Sequence, residues 1–242
     1  MTLMQEPFAP VYTPATTARA AGEFGNLPEW NLADLYASID ALELKADIAR
    51  SRSDAEAFET RWKGTLEAEA KKGRDGGLGK AMQEYEALEE LIGKIASYAA
   101  LLYTGDTSDP KRAKLYGDVQ EKLTDASSHM LFFTLELNRL DDVLIDAALD
   151  ADPAFGHYRP WIVDLRQDKP YQLEDRIEQL FHEKSVTGRG AWNRLFDETM
   201  TSLRFEIGGE PLPLEPTLNK LQDPSSEIRK AAAEALAKTF KE

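Results

Sequence analysis

Two long stretches carry apolar residues at the spacing of an α-helix, and this spacing limits the fold class more than any other feature. Within residues 40–72 the apolar positions lie three, four or seven apart; they are Leu44, Ile48, Ala55, Phe58, Trp62 and Leu66. The stretch after the glycine-rich turn at 73–77 repeats the pattern up to Gly105, with Met82, Tyr85, Leu88, Ile92, Ile95, Ala99 and Leu102. Such residues share one helix face. The sequence therefore predicts two long amphipathic helices whose apolar faces pack together.

Asp109-Pro110 predicts the start of a third long helix, because aspartate suits the N-cap and proline the first helical position. An apolar stripe follows, comprising Leu115, Val119, Leu123, Ala126, Met130, Phe133, Leu137 and Leu140. At 3.6 residues per turn this predicts one helix of about eight turns. Asp223-Pro224 repeats the start signal and predicts a last helix. Since no stop residue ends that helix, we expect the 242 residues to be part of a longer chain.

The rest of the pattern predicts an all-α fold with one β-hairpin. Shorter helices are predicted over 141–150, 154–168, 174–186 and 190–203. Strands are predicted at 203–207 and 211–214, joined by a turn whose two glycines supply the freedom that a hairpin requires. Strands and helices do not alternate elsewhere. The predicted architecture is a scaffold of long antiparallel helices with a small hairpin near residues 203–214.

Charge and cysteine content exclude several kinds of partner and site. With 29 basic and 43 acidic residues, the net charge of −14 repels phosphate backbones and anionic lipid, so we expect neither nucleic acid nor membrane as a partner. The absence of cysteine excludes disulfides and thiolate ligands and fits a reducing compartment. The first residues lack the features of a signal peptide, and the longest uncharged run, 95–105, is shorter than the roughly 20 apolar residues that span a bilayer. We expect a cytoplasmic protein.

His182-Glu183 is the first half of H-E-x-x-H, a helical zinc signature. Two histidines four residues apart on one helix face can share a metal ion, and the glutamate can take a proton from the bound water. Here the fourth position is Val186, and Gly188 is typical of a helix end. The spacing therefore shows that His182 is not one half of an H-E-x-x-H zinc site, and we interpret it as an exposed polar residue.

The two other histidines also lack a histidine at metal-ligand spacing. His157 has no partner in the sequence, whereas His129 follows Asp125 by four residues on one helix face. That pair would bind a metal weakly or form a hydrogen bond. A helical metal-binding protein using Asp125 and His129 is therefore one open alternative.

The remaining motifs favour structural roles. Residues 73–81 resemble a phosphate-binding loop, but Arg74 and Ala81 replace the glycine and hydroxyl that the motif needs, so a turn between helices is predicted. Two acidic pairs, Asp141-Asp142 and Glu89-Glu90, are interpreted as helix caps or solvated faces. The sequence thus assigns no catalytic, cofactor-binding or metal-binding residue.

Four stretches together resemble the N-terminal part of the oligoendopeptidase F family, relatives of thimet oligopeptidase. They are LPEWNLADLY (27–36), YTGDTSDPKRAKLYGDVQE (103–121), EKSVTGRGAWNRLFDETMTSLRFEI (183–207) and LQDPSSEIRKAAAEAL (221–236). The resemblance implies a cytoplasmic zinc metallopeptidase that hydrolyses internal bonds of short unstructured peptides. It places the H-E-x-x-H helix and a third glutamate ligand downstream of residue 242. The present chain would form a wall of the substrate channel without metal or catalytic residues of its own.

This resemblance also implies a division of the chain. We expect a proline-rich arm at 1–28, a helical hairpin at 29–105, an oligopeptidase F-type helical N-terminal domain at 106–202, and the hairpin with the start of a truncated catalytic domain at 203–242. The competing hypothesis is a stand-alone, non-catalytic helical interaction module. A reading frame that continues into H-E-x-x-H discriminates between the two.

Overall fold

The computed structural model describes residues 30–241, which are mainly helical and include one β-hairpin, so the predicted fold class is confirmed. The first helices are α1 (Leu42–Trp62), α2 (Leu66–Lys71), α3 (Leu78–Gly105), α4 (Pro110–Ser128), α5 (Leu131–Arg139) and α6 (Asp142–Ala151). The later elements are α7 (Pro153–Gly156), α8 (Arg159–Gln167), α9 (Asp175–Ser185), α10 (Ala191–Ser202), β1 (Phe205–Ile207), β2 (Glu210–Leu212), α11 (Leu214–Lys220) and α12 (Ser226–Thr239). The arm predicted at 1–28 lies outside the described residues.

The first predicted long helix is interrupted at Gly64, so the single helix over 40–72 was wrong. Gly64 has a φ of 77°, a left-handed value that glycine tolerates and that ends a right-handed helix. Its N–H donates to Glu136 Oε1 at 2.8 Å. Trp62 and Leu66 are buried on either side of the break. The apolar spacing therefore continues across it and conceals it.

The third predicted helix is also interrupted, between α4 and α5. Ser127 Oγ donates to the carbonyl of Leu123 at 2.7 Å, and Ser128 Oγ donates to that of Thr124 at 2.8 Å. Serine hydroxyls that bond to the preceding turn in this way often bend helices. Next to them, Met130 N–H bonds to the Ser127 carbonyl three residues back at 3.0 Å. The eight-turn helix was thus wrong, although its apolar face is retained.

Two clusters of buried side chains form the core. Contacts between Cα atoms place Leu32–Glu242 in one unit. The domain boundaries predicted at 105/106 and 202/203 therefore stay predictions. The larger cluster joins helices α1–α8, and its rings include Phe133, stacked on Tyr85 at 4.8 Å between centroids. The smaller joins α1, α3 and α4. The predicted packing between the first two apolar faces is confirmed.

The C-terminal elements differ from the prediction at three places. The helix predicted at 154–168 is divided into α7 and α8, and α11 begins where the second strand was predicted to end. The last helix begins at Ser226 instead of Pro224, because Asp223 Oδ1 accepts the N–H of Ser225 at 2.9 Å in a turn before the helix. The hairpin pairs Phe205 with Leu212 and turns through two positive-φ glycines.

Within residues 30–241, no helix combines the length and hydropathy needed to cross a membrane.

Candidate functional site

A groove with a volume of about 1120 Å³ runs along α1, α4, α5 and α9. Its apolar lining includes Leu131, Phe132 and Leu135. Carboxylates outnumber basic side chains in the charged lining, which consists of Glu59, Asp118, Glu121, Asp125, Asp175 and Glu183 with Arg52, Lys63 and Lys122. We call it the acidic groove. Its charge favours a cationic or N-terminally charged ligand over an anionic one.

His129 lies in the acidic groove and contacts α1 instead of Asp125. Its Nδ1 lies 2.5 Å from Glu59 Oε2, while Lys63 Nζ lies 2.6 Å from Glu59 Oε1. Asp125 Oδ2 pairs with Arg52 Nη1 at 2.6 Å. The two residues therefore have separate partners on α1, and the hydrogen bond suggested by their spacing is absent between them.

Glu59 is the central acceptor of these contacts. Burial raises the pKa of its carboxyl, but the hydrogen bonds and charges of His129 and Lys63 outweigh burial and lower the pKa below its ordinary 4.5. The carboxylate is thus held in its ionised form. A group in that state stabilises the contact between α1 and the end of α4 and is a poor proton acceptor.

His182 lies against α4, so its interpretation as an exposed residue was wrong. The side chain is half-buried, and its Nε2 lies 2.9 Å from Ser127 Oγ. The pair is 55 residues apart in sequence and meets because α9 packs against α4. After Ser185 the α-helix passes into a π-helical turn, Val186–Gly190, which is kinked at Gly188, where ψ is a non-helical −108°. Val186, four residues after His182, has helical dihedral angles but no metal-ligating atom, so it cannot complete a zinc site.

The Ser127–His182 contact contains the atoms of a nucleophile and a base, but its hydrogen bonding does not suit catalysis. A serine hydroxyl has one proton, and the shorter contact of Ser127 Oγ is with the Leu123 carbonyl at 2.7 Å. His182 Nε2 then donates to the hydroxyl instead of accepting from it. A catalytic base must accept that proton. The contact therefore tethers α9 to α4.

The other sequence candidates have the structural roles that were predicted. Residues 73–75 form a short turn between α2 and α3. Asp141 Oδ1 accepts the N–H of Val143 at 2.9 Å and caps α6, while its neighbour Asp142 pairs with Arg166 and Lys169. His157, Glu89 and Glu90 are exposed.

The resemblance places the zinc ligands downstream of residue 242, and the described residues offer no zinc site of their own. A protein zinc site takes nitrogen, sulfur or carboxylate ligands from several residues that converge on one point. Between residues 30 and 241, no three such side chains are grouped closely enough to hold a metal ion. The Asp125–His129 metal site is also unsupported, because each residue bonds to a different partner.

We expect Glu59→Gln to weaken the dependence of stability on pH. A carboxyl whose pKa is lowered by folding adds stability above its unfolded pKa, and this stability is lost as the pH falls through the folded value. Glu59→Gln should therefore lower the free energy of unfolding by on the order of 1 kcal/mol at neutral pH. On acidification, the free energy of unfolding of this variant should fall by less than that of the wild type. Urea unfolding midpoints between about pH 6 and about pH 3 measure this difference.

Glu67→Gln is the matched control for this experiment, because Glu67 forms an exposed i, i+4 pair with Lys71. Its profile should follow that of the wild type. If Glu59→Gln shows the wild-type loss on acidification, the assigned role of Glu59 is wrong.

Comparisons with known proteins confirm the resemblance to the N-terminal part of the family. Residues 136–205, from within α5 to β1, match a family model described as Oligopeptidase F. The crystal structure of oligoendopeptidase-F from Enterococcus faecium is similar in fold, with a TM-score of 0.64 at 19% identity. That match covers 82% of this chain and 39% of the other, so the chain spans less than half of that protein's length.

Two further comparisons add no functional assignment. A putative peptidase from Chlamydophila abortus matches with a TM-score of 0.45 at 17% identity, covering 88% of this chain and 36% of the other. No curated protein matches the chain significantly in sequence.

Proposed function

We propose that this chain is the N-terminal scaffold part of a zinc metallo-endopeptidase of the oligoendopeptidase F type, which hydrolyses internal bonds of short unstructured peptides in the cytoplasm. The match of residues 136–205 to Oligopeptidase F is the observation that carries the proposal. The similarity in fold over 82% of the chain supports it. The zinc ligands, in an H-E-x-x-H helix with a third glutamate, are expected downstream of residue 242.

The acidic groove is the surface that we assign to the wall of the substrate channel. Its negative charge attracts the amino group and basic side chains of a peptide, and its apolar residues offer contacts to uncharged side chains. Most of the charged side chains that line it already have partners, as the Arg52–Asp125 and Lys63–Glu59 pairs show. The wall would therefore orient a peptide and contribute no proton transfer.

The proposal is tested by comparing the 242-residue chain with the longer polypeptide from the same reading frame. After dialysis the 242-residue chain should hold no stoichiometric zinc and should not cleave a quenched oligopeptide. The longer polypeptide should cleave that peptide and lose activity with a chelator, because metal-assisted hydrolysis needs the bound ion to activate water. Elemental analysis and fluorescence assays measure both properties.

A channel also predicts discrimination by substrate shape. The longer polypeptide should cut a short flexible peptide and spare the same sequence within a rigid folded domain, because a folded chain must open locally before it enters a narrow channel. Equal cleavage of the two would contradict the role of the wall. Chelator-sensitive cleavage by the 242-residue chain alone would contradict the division between scaffold and chemistry.

A further inference from the structure

Helices α9 and α10 each present an apolar stripe to solvent. The stripe on α9 consists of Ile177, Leu180 and Phe181, and that on α10 of Trp192, Leu195 and Phe196. Both have the i, i+3, i+4 spacing of one helix face. Their exposure rises to 62% at Phe181 and 70% at Trp192. We call these six residues the α9–α10 stripes.

These two helices differ from the other α-helices in that none of their residues is buried. Neither α9 nor α10 contains a buried residue, whereas every other α-helix in residues 30–241 contains at least one. An amphipathic helix in a folded protein normally packs its apolar face against another surface. Single exposed apolar residues are common, but two helical stripes of large side chains mark an interaction surface.

The position of the stripes in the chain indicates what covers them. Both lie within residues 136–205, the segment that matches Oligopeptidase F. The solved oligoendopeptidase-F is much longer, since the present chain corresponds to 39% of it. The partner suggested by this observation is therefore the remaining part of the same polypeptide.

Two other occupants fit the observations less well. A second copy of this chain would bring together two molecules that each carry a net charge of −14, which opposes association. A peptide substrate binds and leaves, so it would uncover six apolar side chains after every turnover. A permanently attached domain covers them throughout.

On the basis of the proposed function, we propose that the α9–α10 stripes are the docking surface for the C-terminal, catalytic part of the polypeptide. The two helices then serve as the connection through which the scaffold positions the wall of the channel against the catalytic part. Their apolar side chains become the buried centre of that interface, where most binding energy is located.

Oxidative footprinting of the 242-residue chain and of the longer polypeptide tests this surface directly. Labelling of Trp192 and Phe181 should be high in the 242-residue chain and should fall in the longer polypeptide towards that of the core residue Phe133. Val143 and Val163, which are 77% and 56% exposed outside the stripes, serve as the internal reference and should be labelled equally in both.

Charged substitutions provide the second measurement. Phe181→Asp and Trp192→Asp should leave the urea midpoint of the 242-residue chain unchanged, because both side chains are in solvent. In the longer polypeptide the same changes should lower the unfolding midpoint or allow limited proteolysis to separate the two parts. Val143→Asp, the matched control, should do neither.

The outcomes distinguish the docking surface from the proposed function. Chelator-sensitive peptidase activity with unchanged labelling of Trp192 would overturn the docking surface and leave the function intact. Protected stripes without peptidase activity would support the surface and contradict the function. If the 242-residue chain forms a dimer that Trp192→Asp dissociates, a second copy covers the stripes and the inference is overturned.

Discussion

Replacing Trp62 with alanine is expected to lower the free energy of unfolding by about 3 to 5 kcal/mol, as large-to-small changes in a core do. Trp62 is 7% exposed and belongs to the larger core cluster at the end of α1. Its Nε1 donates to Glu84 Oε2 on α3 at 2.8 Å. The ring also lies so close to Gly77 that a Cβ there would meet it at 2.7 Å. Alanine would remove all of these contacts, and urea unfolding of the 242-residue chain measures the loss.

Two variants control the experiment on Trp62. Trp62→Phe keeps an aromatic ring and removes the N–H donor, so it should lower the free energy of unfolding by less than Trp62→Ala does. Trp192→Ala removes the same side chain from a position that is 70% exposed and should change stability by less than about 0.5 kcal/mol. A loss below about 1 kcal/mol for Trp62→Ala would show that this face of α1 is not part of the core.

Arg166→Ala should lower the free energy of unfolding by about 2 to 3 kcal/mol, because it removes the charged donor of the Leu137 carbonyl and one of the two charged donors of the Leu140 carbonyl, which keeps Lys169 Nζ at 3.2 Å. Arg166 on α8 donates from Nη1 to the Leu137 carbonyl and from Nη2 to the Leu140 carbonyl, each at 2.9 Å. It also pairs with Asp142, at the start of α6. The side chain is 13% exposed, so water replaces these bonds poorly. Denaturant midpoints provide the measurement.

Arg139→Ala is the matched control, because Arg139 pairs with Asp175 on the surface, where both side chains are about half exposed. Exposed pairs contribute about 0 to 1 kcal/mol. Arg166→Lys should restore only part of the stability, since a single ammonium group cannot match the two-nitrogen geometry of guanidinium. If Arg166→Ala and Arg139→Ala lower the free energy of unfolding by the same amount, the packing of α5, α6 and α8 does not depend on Arg166.

Apolar spacing predicted where helices face the core but not where they are interrupted. Trp62 and Leu66 remain buried across the left-handed Gly64, so the spacing gave no sign of the break. The serines at the end of α4 act through their hydroxyls, which a pattern of apolar residues does not include. Local start signals were reliable where no second turn competed: Asp109 accepts the N–H of Lys111 at 2.8 Å, as predicted.

Partners of polar side chains were the part that the sequence could not supply. The predicted contact between Asp125 and His129 rested on their spacing along one helix, whereas the partners of both residues are on α1. His182 appeared exposed in the pattern because Ser127 lies 55 residues earlier and approaches only when α9 packs against α4. Such contacts follow from how helices cross, and a single sequence does not specify this crossing.

Helices α9 and α10, which contain no buried residue, would leave apolar surface exposed while a longer protein is being synthesised. A ribosome adds about 5 to 20 residues per second, and N-terminal segments fold first. A catalytic part of a few hundred residues would therefore follow the stripes after an interval on the order of tens of seconds. During that interval Phe181 and Trp192 would be uncovered on a nascent chain, and exposed apolar surface of this kind recruits chaperones or drives aggregation. Synthesis of such an enzyme would thus be most vulnerable after the scaffold has folded and before its partner surface exists.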